Sequence, residues 1–190
     1  MQILYVLRHG ETEWNRIGRL QGVLDSPLTA KGIEQAKHMA KILSRNLEGQ
    51  TTPKLVSSPL GRARQTADIV SAHLTIPVMF DARLSEIDMG EWNGHTKAEI
   101  ENSWPEALVN ANSADWNFFS PHGESYDGVR ARVTNWLGEQ KSDVIVVGHG
   151  LSGKLLRGAY LKLDRITTLA LAEPQDAVFR LSDGRMKLLS

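Results

Sequence analysis

Ile3-Leu4-Tyr5-Val6-Leu7-Arg8-His9-Gly10 is the stretch on which the reading of this 190-residue chain turns. Its apolar residues follow one another without alternation and then break into arginine, histidine and glycine. Such a run predicts a short strand buried on both faces, as in a parallel sheet covered by helices. The pattern recurs at Val144-Ile145-Val146-Val147-Gly148-His149-Gly150, and Leu55–Val56 marks a third, shorter run. Helical patterns lie between. Thr29 is placed to cap a helix running to about Leu47, with Ile33, Ala36, Ala40, Leu43 and Leu47 on one face and Gly49 as its stop. Ser58-Pro59 opens a second helix carrying Ala63, Ala67 and Val70. Ser125 opens a third, with Val129, Val133, Trp136 and Leu137 at helical spacing. Residues 154–163 are expected to form a fourth helix, and Thr168–Ala172 and Val178–Leu181 two further strands. Strands alternating with helices predict an α/β fold, a three-layer α/β/α sandwich around a mostly parallel central sheet. Residues 95–122 break the pattern: they are polar, show no clean period and hold Trp104, Trp116, Phe118 and Phe119. They read as a cap-like insertion lying over the sheet.

The bulk numbers fit one domain over residues 1–190, since 41% apolar content suffices for one substantial core. The 22 basic and 22 acidic side chains cancel, so no nucleic-acid or membrane surface is expected and any strong charge is local. Cysteine is absent, which removes disulfides, thiolate metal sites and cysteine nucleophiles together. The apolar runs are strand-length, and the first residues lack the basic start and long apolar region of a signal peptide. A cytoplasmic location is expected. A monomer or a homodimer is expected.

The two strand-like runs ending in His9 and His149 are expected to deliver both imidazoles to one crevice, because ligands gather at the carboxyl ends of strands in a doubly wound sheet. Arg62 falls in the first turn of the helix begun by Ser58-Pro59, where free backbone N–H groups and the helix dipole also favour an anion. Arg8 and Arg62 together make a clamp for a phosphoryl group. One such contact near 4 Å is worth roughly 4 kcal/mol at intermediate dielectric, before desolvation. Arg64 and Arg83 lack this context and read as surface charges. Glu86, beside the tight stretch of Gly90, Trp92 and Gly94, is placed to act as general acid. The six histidines show no chelating helix spacing and no carboxylate cluster accompanies His9, so no metal and no cofactor is expected.

These residues add up to a resemblance. Arg8-His9-Gly10-Glu11-Thr12-Glu13-Trp14-Asn15 resembles the signature of the histidine phosphatase superfamily, in its phosphoglycerate mutase-like branch. The match continues through Arg19-Leu20-Gln21-Gly22, the run from Ser57 to Ala67, Glu86 with Gly90, Trp92 and Gly94, Gly123-Glu124-Ser125 and Gly148-His149-Gly150, in family order. The resemblance implies a phosphoglycerate mutase-like fold and a phosphohistidine at His9. It implies that Arg8, Arg62 and His149 hold the phosphoryl oxygens, and that Glu86 protonates the leaving oxygen and then activates water. Asn15, Gln21, Gly22, Gly150 and Leu151 would line the substrate site, and the partner would be a small phosphorylated metabolite.

Mutase and phosphatase share this core. Family mutases hold a second anion with basic residues from the insertion, yet Ala98 to Val129 contains no Lys or Arg while holding Glu99, Glu101, Glu106, Asp115, Glu124 and Asp127. His95 and His122 would substitute only when protonated. Leu151 also stands where a mutase is expected to have a polar residue. Water is therefore the expected acceptor, with a cofactor-dependent phosphoglycerate mutase as the alternative. A silent phospholigand-binding member would have lost His9, Glu86 or an arginine, and all are present. Gly148-His149-Gly150-Leu151-Ser152-Gly153 also spells a dinucleotide fingerprint, with Glu173 20 residues past Gly153. Too little chain follows for the remaining strands of such a domain, and His149 would be unexplained.

Overall fold

The computed structural model describes residues 2–190, which form a six-stranded sheet wrapped by helices. In chain order the elements are β1 (Leu4–Arg8), α1 (Glu13–Arg16), α2 (Ala30–Leu47), β2 (Lys54–Ser57), α3 (Gly61–Leu74), β3 (Val78–Phe80), α4 (Lys97–Ser103), α5 (Tyr126–Glu139), β4 (Val144–Gly148), α6 (Leu151–Leu161), α7 (Arg165–Leu169), β5 (Val178–Ser182) and β6 (Arg185–Leu189). The sheet order is β3-β2-β4-β1-β5-β6. Strands β1 to β4 are parallel, while β5 and β6 extend the β1 edge in antiparallel fashion.

The unalternating runs are explained by cover on both faces. Leu4, Val6, Val144 and Val146 pack with Val129, Val133 and Trp136 of α5 and Leu155 and Leu156 of α6. Tyr5, Leu7, Ile145 and Val147 point the other way, onto Met39, Ala40 and Leu43 of α2 and Ala63, Ala67 and Val70 of α3. Each fully buried Val or Leu contributes roughly 1.5–3 kcal/mol, so the pleat commits both faces of β1 and β4. Thr29 and Ser125 cap α2 and α5 as their sequence predicts, accepting from Gly32 N and Gly128 N. A Cβ on Gly10 would collide with the backbone of Gly32; the bare glycine lets the loop after β1 lie against the first turn of α2.

Two expectations change. Thr168–Ala172 is not a strand: Arg165–Leu169 is helix α7, because the Asp164 carboxylate accepts from Thr167 N at 2.8 Å and from the Thr167 hydroxyl. The helix expected at residues 154–163 begins earlier, at Leu151, directly behind His149. Residues 95–122 carry α4 and short 3-10 turns, and Trp104, Phe118 and Phe119 pack against the core. No helix among the described residues is long and apolar enough to cross a membrane.

Candidate active site

The pairing of β1 with β4 aligns Arg8 with Gly148, and His9 N donates to Gly148 O at 3.0 Å. Each histidine follows its strand by one residue, so the imidazoles meet with ring centroids 5.3 Å apart. Both are 2% exposed. His9 closes the floor of a cavity of about 390 Å³, and His149 lies behind it, outside the lining.

The hydrogen bonds of His9 fix its tautomer. Nδ1 lies 2.8 Å from Gly10 O, and a carbonyl only accepts, so Nδ1 carries the proton. Nε2 therefore presents a lone pair, to which Arg62 Nε donates at 3.2 Å. Burial first, then the Arg62 and Arg8 guanidinium charges, push the His9 pKa well below 6.5, so the ring is neutral at ordinary pH. Burial, then Arg62, His9, Arg8 and Arg132, do the same to His149. Nε2 of His149 is 2.7 Å from Ser58 Oγ, and its buried Nδ1 has no partner among the described residues. Arg8 Nε is likewise buried without one, while Arg8 Nη1 donates to Glu173 O at 2.8 Å.

Arg62 is only 1% exposed and nearly saturated. Of its five N–H groups, Nε goes to His9, Nη1 to Leu24 O and Asp25 Oδ1, and Nη2 to Gly22 O. One Nη2 hydrogen stays uncommitted among the described residues. The same Asp25 carboxylate accepts Gly61 N at 2.6 Å and Arg62 N at 3.2 Å. The start of α3 is thus not free for a phosphoryl group, as its sequence suggested; Asp25 already occupies it. Ser58, expected to open that helix, faces His149 instead.

Glu86 meets a second helix start, that of α6. Its Oε1 accepts from Ser152 N at 2.9 Å and Ile87 N at 3.0 Å, and Oε2 from Leu151 N at 3.1 Å. The loop that carries it is tied down by Arg132 of α5. That guanidinium donates to the carbonyls of Arg83, Ser85 and Glu86, and both Glu124 oxygens take its remaining donors. A neutral imidazole with a lone pair on Nε2, arginine donors without partners and a carboxyl on the same cavity suit transfer of a phosphoryl group.

The model of the histidine phosphatase superfamily, branch 1, matches residues 4–188. The chain belongs to this superfamily. It is 41% identical over 157 residues to a probable phosphoglycerate mutase, GpmB, of Citrobacter koseri, covering 78% of this chain and 70% of that protein. The Escherichia coli GpmB proteins stand at 39% over the same span. Among solved structures, a mycobacterial glucosyl-3-phosphoglycerate phosphatase complexed with VO3 superposes with TM-score 0.81 at 32% identity, over 99% of this chain and 97% of that one. YhfR of Bacillus stearothermophilus gives TM-score 0.83 at 31%, over 99% and 95%. Phosphatase and mutase names both surround this chain, so its membership establishes an enzyme fold shared by the two.

In this superfamily member the cavity lining gathers Arg8, His9, Asn15, Gln21, Gly22, Arg62, Glu86, Gly150 and Leu151. Ser113, Ala114, Trp116 and Asn117 bring residues 95–122 over the same cavity. Trp116 also packs on Trp92, with centroids 5.9 Å apart. His95 and His122 do not line it. Among the described residues no group of three His, Asp or Glu converges in a way that would hold a metal ion.

Several residues were not legible in advance. Asp25 and Arg132 act through long-range contacts. Lys154 and Glu173 line the cavity from outside the insertion, where they join Arg19 of the Arg19-Leu20-Gln21-Gly22 motif. Gln175 donates to His9 O at 3.2 Å and Asn15 Oδ1 at 3.0 Å, bringing the chain before β5 against the site. Arg64 lies over the Phe80 ring at 4.4 Å, a surface contact. Arg83, a surface charge as expected, bridges Asp81 and Glu139.

Proposed function

We propose that this histidine phosphatase hydrolyses a small-molecule phosphate monoester, without a metal, through a phosphohistidine at His9. The observation that carries the reading is the neutral Nε2 of His9, whose lone pair faces Arg62 Nε at 3.2 Å on the cavity floor. That nitrogen attacks phosphorus and the ester P–O bond breaks. Arg8 Nε, the Nε and free Nη2 hydrogen of Arg62, and His149 take the three non-bridging oxygens. Glu86 in its acid form gives its proton to the leaving oxygen, and as carboxylate it takes one from the water that attacks phosphorus as the P–N bond to His9 breaks. Oε2, with a single backbone partner against two on Oε1, is the oxygen with room for that proton. Phosphate leaves and His9 is restored. Asn15, Gln21, Gly22, Gly150 and Leu151 contact the alcohol, and residues 95–122 serve as its cap. The VO3 held by the mycobacterial relative supports the reading, because a planar oxyanion has the shape of phosphoryl in transit.

The mutase reading draws on the GpmB names among the relatives. Against it stands the absence of Lys and Arg from Ala98 to Val129. The test is phosphate release across a panel of phosphometabolites in EDTA, with acid-labile phosphate trapped on His9. Isomerisation of 3-phosphoglycerate in 2,3-bisphosphoglycerate that outpaces all hydrolysis would overturn the phosphatase reading.

A further inference from the structure

Among the described residues the cations lining the cavity are Arg8, Arg19, Arg62 and Lys154. Arg8 and Arg62 keep donors for a phosphoryl group, as above. The other two are each closed by a carboxylate of this chain. Arg19 makes a two-pronged pair with Glu99, at 3.2 and 3.1 Å, and also donates to Gly94 O. Lys154 Nζ lies 3.4 Å from Glu173 Oε1 and donates to Leu169 O at 3.2 Å. The Glu173 carboxylate lies against the first turn of α6, where a Cβ on Gly150 would collide with it. Its Oε2 is 3.9 Å from Arg8 Nη1. A negative charge of the protein therefore stands between the phosphoryl-binding arginine and the remaining lysine of the wall.

We infer that Glu173 is a specificity-determining residue: it keeps a second anion out of the leaving-group site, so that the substrate is the phosphate of a neutral, hydroxyl-bearing alcohol. The inference rests on the phosphatase reading and narrows it to a substrate class. A carboxylate on the leaving group would have to displace Glu173 from Lys154 and then remain beside it, and like charges so placed at a half-buried site repel. Hydroxyls meet no such opposition. Glu173 accepts from them, and Gln21 Oε1, buried without a partner among the described residues, is a second acceptor on the lining. Asn15 and Asn117 offer amide donors.

Glycerol 3-phosphate and 3-phosphoglycerate share a skeleton and differ by a hydroxymethyl group against a carboxylate. The wild-type chain should favour the first in kcat/KM by about tenfold or more. Glu173→Gln, which keeps size and loses charge, should narrow that ratio at least about fivefold, mainly through a gain on 3-phosphoglycerate. Glu173→Asp, which keeps the charge, should retain the preference. Calorimetric binding of the two compounds to His9→Ala, with and without Glu173→Gln, reads the same discrimination without turnover. An unchanged ratio in Glu173→Gln by both measurements, or a wild-type preference for 3-phosphoglycerate, would overturn the inference. Binding that discriminates and responds to Glu173→Gln in a protein that hydrolyses neither compound would uphold it while removing the hydrolase reading.

Discussion

Arg62 Nε donates to His9 Nε2 across 3.2 Å, so the nitrogen proposed to attack phosphorus is held by the cation proposed to receive the phosphoryl oxygens. An incoming phosphoryl group inserts between them: the lone pair turns to phosphorus and the Nε–H turns to oxygen. His9→Ala should abolish turnover. Arg62→Lys keeps the charge but loses the Nε donor and the fork, and should lower kcat/KM by about 100-fold or more. Arg64→Ala, over Phe80 and off the cavity, should stay close to wild type. Equal losses in Arg62→Lys and Arg64→Ala, measured by steady-state kinetics, would remove the clamp assignment.

The depressed pKa of His9 sets an acid limb. Because burial, Arg62 and Arg8 keep the ring neutral below 6.5, the fall in kcat/KM due to His9 protonation should lie below pH 6.5 rather than at it. Stability follows the same linkage with a definite sign. The unfolded chain binds protons at His9 and His149 near pH 6.5 while the folded chain does not, so stability falls as pH drops through that value and levels off below the folded values. The slope approaches about 1.4 kcal/mol per pH unit for each ring. Denaturant melts between pH 7.5 and 5 should lose this slope in a His9→Gln/His149→Gln protein.

Asp25 joins Arg62 to the start of α3, and its loss should register in both roles. Asp25→Ala removes acceptors for two backbone N–H groups and one guanidinium, costing about 1–2 kcal/mol of stability. It also leaves a buried guanidinium without its carboxylate, so kcat should fall more than KM rises. A loss of stability with unchanged kcat would make Asp25 a cap and nothing further.

Arg132 positions Glu86 through the carbonyls of residues 83, 85 and 86. If Glu86 is the proton donor, Arg132→Ala should spare p-nitrophenyl phosphate, whose leaving group departs as an anion, and cut hydrolysis of alkyl phosphates by about 10–100-fold. Uniform losses across leaving groups, seen in a plot of log kcat/KM against leaving-group pKa, would show damage to the fold instead.

What the sequence determined by itself was whatever a few neighbouring residues decide. The apolar runs of β1 and β4 require cover on both faces, and a strand end places the next residue, so His9 and His149 follow from local pattern. Thr29 and Ser125 cap their helices through N–H groups three residues on, again a local matter. The one segment whose type was misread, Thr168–Ala172, follows directly on the β-branched Ile166 and Thr167, a run that favours a strand; Asp164, just ahead, settles the helix by capping it. The tertiary structure alone decided which charges meet. Asp25 reaches α3 across 36 residues, Arg132 reaches the Glu86 carbonyl across 46, and Glu173 reaches Arg8 across 165. No spacing encodes such pairs. They form because a buried guanidinium or an open helix start must find partners wherever the folded chain brings a carboxylate or a carbonyl within about 3 Å.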